Sequence, residues 1–300
     1  MMQRRTVERP EGRLSYLRIG SGPLVVIVNT YGAELEVWEG LIAELAQRFR
    51  VITWDCRGFA DDELDRRYTV NDHAADLHAI LTVEGGAAVV LAWCGSCKVA
   101  LEFAHRHPDR VRALGLITGN FASTGLDTPL TVYQQNLTRA ARLIVRRPHL
   151  ARALLAALSG GSDEAGEEAA LVRRFSTESI NSSVVPDAHI RYVVRPFVSE
   201  PAIVQYMHMV CDLLDHSIRG YLEALTVPTL ILTAEHDPIA HPGMSEEAAK
   251  RCPVARLVVL PDADHYCLVT HTARILAELT RTARHEESRS DDAVVRRTDR

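Results

Sequence analysis

Val89-Val90-Leu91-Ala92-Trp93-Cys94-Gly95-Ser96-Cys97-Lys98-Val99-Ala100-Leu101-Glu102-Phe103-Ala104 is the stretch that decides the fold. Its first part is a short apolar run that suits a strand buried on both faces. Its last part puts apolar residues on one side of a helix. Only a sharp turn fits between the two. A reactive side chain on such a turn needs small residues two before and two after it, because strand and helix backbones nearly touch there. Cys94 meets that condition with Ala92 and Ser96. Ser96 has Cys94 and Lys98, and the lysine does not fit. Cys97 has Gly95 and Val99, and a β-branched residue fits poorly. Cys94 also marks the point where the strand pattern gives way to the helix pattern.

Similar apolar runs lie on either side. Leu14–Ile19 and Leu24–Val28 flank Gly20-Ser21-Gly22-Pro23 and read as an antiparallel hairpin leading into a sheet. Val51–Trp54, Ala87–Trp93, Arg112–Thr118, Thr229–Thr233 and Arg256–Leu260 read as further strands. Helical patterns alternate with them over Val37–Gln47, Val70–Leu81 behind the N-cap Thr69, Gly95–His107 and Val269–Ala283. Strand and helix in alternation predict an α/β protein with a mostly parallel sheet. Residues 121–217 break the alternation. Tyr133–Leu158 is helical with a kink or break at Pro148, Gly160-Gly161-Ser162 ends it, and Glu167–Phe175 and Ala202–Leu214 are helical again. This stretch is expected to be a helical lid insertion lying over one edge of the sheet. It divides a core made of residues 1–120 and 218–283. Residues 284–300 are charged throughout and are expected to be disordered.

Composition narrows the function. The chain has 300 residues, 47% hydrophobic and 24% charged, as in an ordinary globular enzyme. Its 34 basic and 39 acidic residues leave a formal charge of -5. Without a basic excess, nucleic-acid binding is not expected. The longest apolar runs are too short to span a bilayer. No secretory signal is visible at the N-terminus. The six cysteines are therefore expected to be reduced thiols in a cytoplasm. His236 and His241, or His265 and His271, lack the spacing of a zinc site.

The turn at Cys94 resembles the Gly-x-Ser-x-Gly motif of the α/β-hydrolase superfamily, written here as Ala92-Trp93-Cys94-Gly95-Ser96. The resemblance covers roughly 14–120 and 229–281, and it implies the α/β-hydrolase fold. It also implies a triad in the order nucleophile, acid, histidine. Asp237, after the strand Thr229–Thr233, matches the acid. His265, in Asp262-Ala263-Asp264-His265, matches the base. Oxyanion donors would be the backbone N–H groups of Gly95 and, by position in Asn29-Thr30-Tyr31-Gly32, of Tyr31. That loop carries Asn29-Thr30 where relatives usually have His-Gly. Asp55-Cys56-Arg57-Gly58 resembles the family's Asp-x-Arg-Gly turn, a structural feature.

A cysteine changes the chemistry this site would do. The acyl-enzyme is a thioester, close in energy to thioesters of phosphopantetheine and coenzyme A. The chain thus resembles the cysteine-dependent aminoacyltransferases and thioesterases of natural-product assembly. That implies acyl transfer between thiols through Cys94, with phosphopantetheine or CoA thioesters as substrates, an acyl or peptidyl carrier protein as partner, and no tightly bound cofactor. Arg139, Arg142, Arg146 and Arg147 offer a basic face for an acidic carrier. Hydrolysis at the same residues, by a thioesterase, esterase or lactonase, is the alternative. A non-catalytic binding protein of the same fold is another.

Overall fold

A computed structural model describes residues 2–59, 66–122, 128–159 and 184–282. Eight strands among them form one sheet: β1 Met2–Arg9, β2 Gly12–Ile19, β3 Leu24–Val28, β4 Arg50–Trp54, β5 Ala88–Trp93, β6 Val111–Ile117, β7 Thr229–Ala234 and β8 Ala255–Leu260. Their order is β1-β2-β4-β3-β5-β6-β7-β8. The pairs from β4 through β8 are parallel, and β1–β2 and β2–β4 are antiparallel. This is the α/β-hydrolase arrangement that the sequence led us to expect.

The hairpin expected between β2 and β3 does not form, because β4 lies between them. Every residue of β3 is buried, so that strand needs a neighbour on each side. The half-exposed β2 suits a place near the edge. Its hairpin partner is β1, in register from Met2↔Ile19 to Arg9↔Gly12.

Helices cover both sheet faces, which is why the parallel strands are apolar throughout. On one face, Val26, Val90, Leu114 and Ile231 pack with α2 (Val70–Glu84) and α3 (Ser96–Arg106). On the other, Ile27, Leu91, Ile117 and Leu232 pack with α1 (Glu39–Leu45) and the helix at 272–282. Thr69 caps α2 in a reciprocal box with Asp72.

Pro148 splits the insertion's first helix into α4 (Val132–Arg146) and α5 (Ala151–Leu158), with a 3-10 turn between them. These pack on α6 (Glu200–Asp215) around Ile144, Leu154, Ile203 and Met207. The helix expected at 167–175, the stop at 160–162 and the tail at 284–300 lie outside the described residues. The insertion does not lie over a sheet edge as expected. It covers the carboxyl ends of the central strands, where Met209 and Leu213 of α6 join the main core. The outer strand β1 is mostly exposed and offers no apolar band to receive it.

Lys98 fastens this cap. Its side chain is buried on α3 and donates to the carbonyls of Ala122, of Leu213 at 2.6 Å and of His216 at 3.1 Å. Ala122 is where the chain leaves the core, and Leu213 and His216 are where it returns. Burial pushes the Lys98 ammonium down to about 7, against the opposing pull of Asp212 and Asp215.

Candidate active site

Cys94 ends β5 with φ at 56°, in the left-handed region that non-glycine residues rarely adopt. Its N–H donates to Ile117 O at 3.0 Å, and its carbonyl accepts from Asn120 N–H at 3.1 Å. The one segment at 117–120 thus holds the strained turn in place from both its N–H and its carbonyl. The other two candidates are engaged elsewhere. The Ser96 hydroxyl is buried 2.7 Å from Val28 O and 2.8 Å from Trp93 O, and it accepts from Trp93 N–H at 3.1 Å. A serine therefore serves where the family motif has glycine, with every polar group satisfied. The Cys97 thiol is buried 3.6 Å from Ala92 O, and burial pushes its pKa well up. Cys94 alone of the three lines the cavity beneath the cap.

Asp237 and His265 meet at that cavity from the loops after β7 and β8. One Asp237 oxygen, Oδ1, accepts from the N–H groups of Ile239 and Ala240, both at 2.8 Å. The other, Oδ2, is 2.7 Å from His265 Nδ1. This arrangement leaves Nε2 as the nitrogen for the Cys94 thiol, which lines the same cavity. Burial disfavours the imidazolium, but the charges of Asp237 and Cys94 and their hydrogen bonds outweigh it and raise His265 to about 10. Trp93 braces the ring, donating from Nε1 to His265 O at 3.1 Å.

The loop after β3 holds its shape without His-Gly. Asn29 is buried, donates to Ala33 O at 2.6 Å, and accepts from Trp38 Nε1 at 3.0 Å. Gly32 at φ 70° leaves the space that Pro196 of the insertion occupies. Among the described residues, no hydrogen bond engages the N–H of Tyr31 or of Gly95. Both residues line the cavity.

Some residues of the site had no signal in the sequence. Tyr133 of α4, Tyr206 of α6 and Tyr266 all line the cavity and lie close enough to feel a charge on Cys94. The cavity is about 100 Å³, and among the described residues its lining carries no ionisable groups besides Cys94, His265 and tyrosines. His236, the neighbour of Asp237 in the chain, is exposed and outside the lining. Its ligand atoms lie within 4.8 Å of those of Glu235 and Asp262, all three exposed. His241 accepts from Gly243 N–H and so caps a helix, and His271 pairs with Thr270. In the basic face, Arg142 is ion-paired with Asp215, and Arg139 and Arg146 are exposed. Arg57 fulfils its structural role by clamping Asp76 with two hydrogen bonds.

The profile of the alpha/beta hydrolase fold matches residues 23–272. A pimeloyl-[acyl-carrier protein] methyl ester esterase of Nitrosospira multiformis is 26% identical over 89% of this chain and 96% of that protein. Polyketide synthase ThaQ of Burkholderia thailandensis is 26% identical over 94% of this chain and 13% of its own length. Among solved structures, a thermophilic esterase from Thermogutta terrifontis superposes with a TM-score of 0.67 at 23% identity, covering 94% of this chain and 98% of that one. No helix among the described residues is long and apolar enough to cross a membrane.

Proposed function

The chain belongs to the alpha/beta hydrolase fold family, and from that membership we propose that it is a cysteine-dependent acyl hydrolase. Its substrates would be esters or thioesters whose acyl part is uncharged and which are carried on an acyl carrier protein or CoA. One observation carries the reading: the Cys94 thiol and the His265 imidazole line one cavity, the imidazole is hydrogen-bonded to the Asp237 carboxylate, and two N–H groups at that cavity are unengaged among the described residues. The Cys94 thiolate attacks the carbonyl carbon. The N–H groups of Tyr31 and Gly95 hold the resulting oxyanion. The carbonyl re-forms and the alcohol or thiol leaves with the proton from His265, giving acyl-Cys94. A water then attacks the thioester while His265 takes its proton, and carboxylic acid departs as Cys94 is restored. Asp237 holds the imidazole in the required tautomer and stabilises its charged form. Carrier-bound substrates are supported by the relatives that act on a pimeloyl-[acyl-carrier protein] ester. Among the described residues the lining offers no lysine, arginine or carboxylate to pair with a charged acyl group, which supports an uncharged one, since an unpaired buried charge is costly.

Transfer to a second thiol is the other reading, and the cysteine itself favours it. Acyl-Cys94 is a thioester, so an incoming thiol takes the acyl group with little change in free energy. The cap over the cavity favours a thiol arm over bulk water. Intact-mass analysis over time tests both readings, following the enzyme with an acyl-loaded carrier protein, and with and without a free carrier thiol. Acyl-Cys94 followed by free acid in the absence of acceptor supports the hydrolase. A long-lived acyl-enzyme that discharges only onto the added thiol replaces hydrolysis with transfer. No adduct on Cys94 in either arm refutes both.

A further inference from the structure

A second cleft, of about 350 Å³, opens beside the catalytic cavity. Arg195 lines the cleft, while Pro196 and Phe197, next in the chain, line the cavity at Cys94. Arg4 of β1, Arg13 of β2, and Trp54, Asp55 and Arg57 at the carboxyl end of β4 complete its polar wall. Four of these six residues are arginines from three separate segments.

Two buried donors stand out. Arg57 is 5% exposed, and Asp76 engages its Nε at 2.8 Å and one terminal nitrogen, Nη2, at 2.6 Å. The other terminal nitrogen, Nη1, has no partner. Trp54 is 1% exposed, and its Nε1 has no partner either. A buried N–H without an acceptor is costly and is uncommon in a folded protein. The remaining arginines are loosely held. Arg195 pairs with Asp55 at 3.4 Å, and Arg13 pairs with Glu8 where both side chains are largely exposed. Among the described residues, Arg4 makes no ion pair.

We propose that this cleft binds a phosphate group, that of the phosphorylated pantetheine arm which brings the acyl thioester to Cys94. The proposal rests on the acyl-thioester reading above. Donors from four arginines and an indole outnumber what the two oxygens of a carboxylate accept. A phosphate presents more oxygens, and guanidinium forks match its geometry. The cleft lies one residue along the chain from the wall of the catalytic cavity, so an arm can hold its phosphate in one and its thioester in the other. CoA and a carrier protein both carry such an arm.

The test compares three thioesters of one acyl group: on CoA, on a carrier protein, and on N-acetylcysteamine, which has no phosphate. Each is measured with wild type, Arg4→Gln and Arg195→Gln. The proposal expects KM to rise about tenfold in the variants for a phosphorylated substrate, with kcat little changed and a much smaller rise for N-acetylcysteamine. A rise for CoA alone or for the carrier alone supports the proposal and identifies the source of the phosphate. Equal effects on all three substrates, or none on either phosphorylated one, overturn it. CoA binding to Cys94→Ala by calorimetry, with and without Arg195→Gln, is read without turnover. If no thioester is turned over, the hydrolase reading fails and this arm decides the cleft alone. Binding weakened by Arg195→Gln supports the cleft, and unaltered or absent binding overturns it.

Discussion

Replacing Lys98 by methionine keeps most of the buried volume and removes the donors that Lys98 gives to the cap junction. The carbonyls of Ala122, Leu213 and His216 lose their partner together. Each deserted buried acceptor costs about 1–3 kcal/mol. The variant also ceases to bury an ammonium, which returns part of that cost. We expect a net loss of about 2–4 kcal/mol, a fall in melting temperature of roughly 4–16 °C at about 2–4 °C per kcal/mol. The loss should be local, because all three carbonyls lie where the insertion joins the core. Hydrogen exchange should rise over 128–159 and 200–216 well before it rises in β3 and β5. Proton linkage adds a sign. Burial lowers Lys98 from 10.5 to about 7, so between those values the unfolded chain holds a proton that the folded chain has released. Stability of the wild type relative to Lys98→Met therefore grows as pH rises through that window. Calorimetry and exchange mass spectrometry read both effects. A melting point within a degree of wild type, or exchange raised equally across sheet and cap, would refute the assignment of Lys98 as the fastener.

Cys94→Ala should abolish acyl loading by intact mass, whereas Cys97→Ala and Ser96→Ala should retain it. Ser96→Ala should also lower stability by about 1–3 kcal/mol, since the buried Trp93 N–H loses its acceptor. His265→Ala should slow acylation by roughly 10²–10⁴-fold in stopped-flow mixing with a chromogenic thioester, and an unchanged rate would assign the base elsewhere. For Asp237→Asn the expectation concerns pH. Raised from 6.5 to about 10, His265 contributes stability that is full below 6.5 and is lost as pH climbs through about 10. The difference in melting temperature between wild type and Asp237→Asn should therefore shrink across that interval. A difference that stays constant or widens would contradict the imidazole–carboxylate pairing.

The turn at Cys94 was legible because its constraints are local: two small neighbours and a change of period at one residue. Asp237 and His265 were legible through the resemblance to the α/β-hydrolase superfamily, which implies an acid and a histidine in the loops after these two apolar strands. Pairing at a distance was not. Met2–Arg9 has no apolar alternation to announce a strand, and only its partner in β2 makes it one. The turn Gly20–Pro23 suggested a hairpin, yet the neighbour of β3 came from residues 50–54. Tyr133 and Tyr206 sit on ordinary amphipathic helices. Nothing in either helix alone says that the two side chains line one cavity with a thiol. Lys98 entered the reading as the residue that disqualified Ser96, and its three carbonyl partners come from segments as far as His216. Asn29 replaced an expected histidine, and its anchoring of the loop depends on Trp38 and Cys56.

Strand β7 lies beside β6 although the whole insertion separates them in sequence. Protein synthesis therefore makes the half of the sheet that carries Cys94 long before the half that leads to His265. At roughly 5–20 residues per second, Cys94 waits on the order of ten seconds or more for His265 to be translated. During that time it is an ordinary thiol, with neither imidazole nor a closed cap above it. The insertion between β6 and β7 thus sets an interval in synthesis during which the chain holds Cys94 without His265.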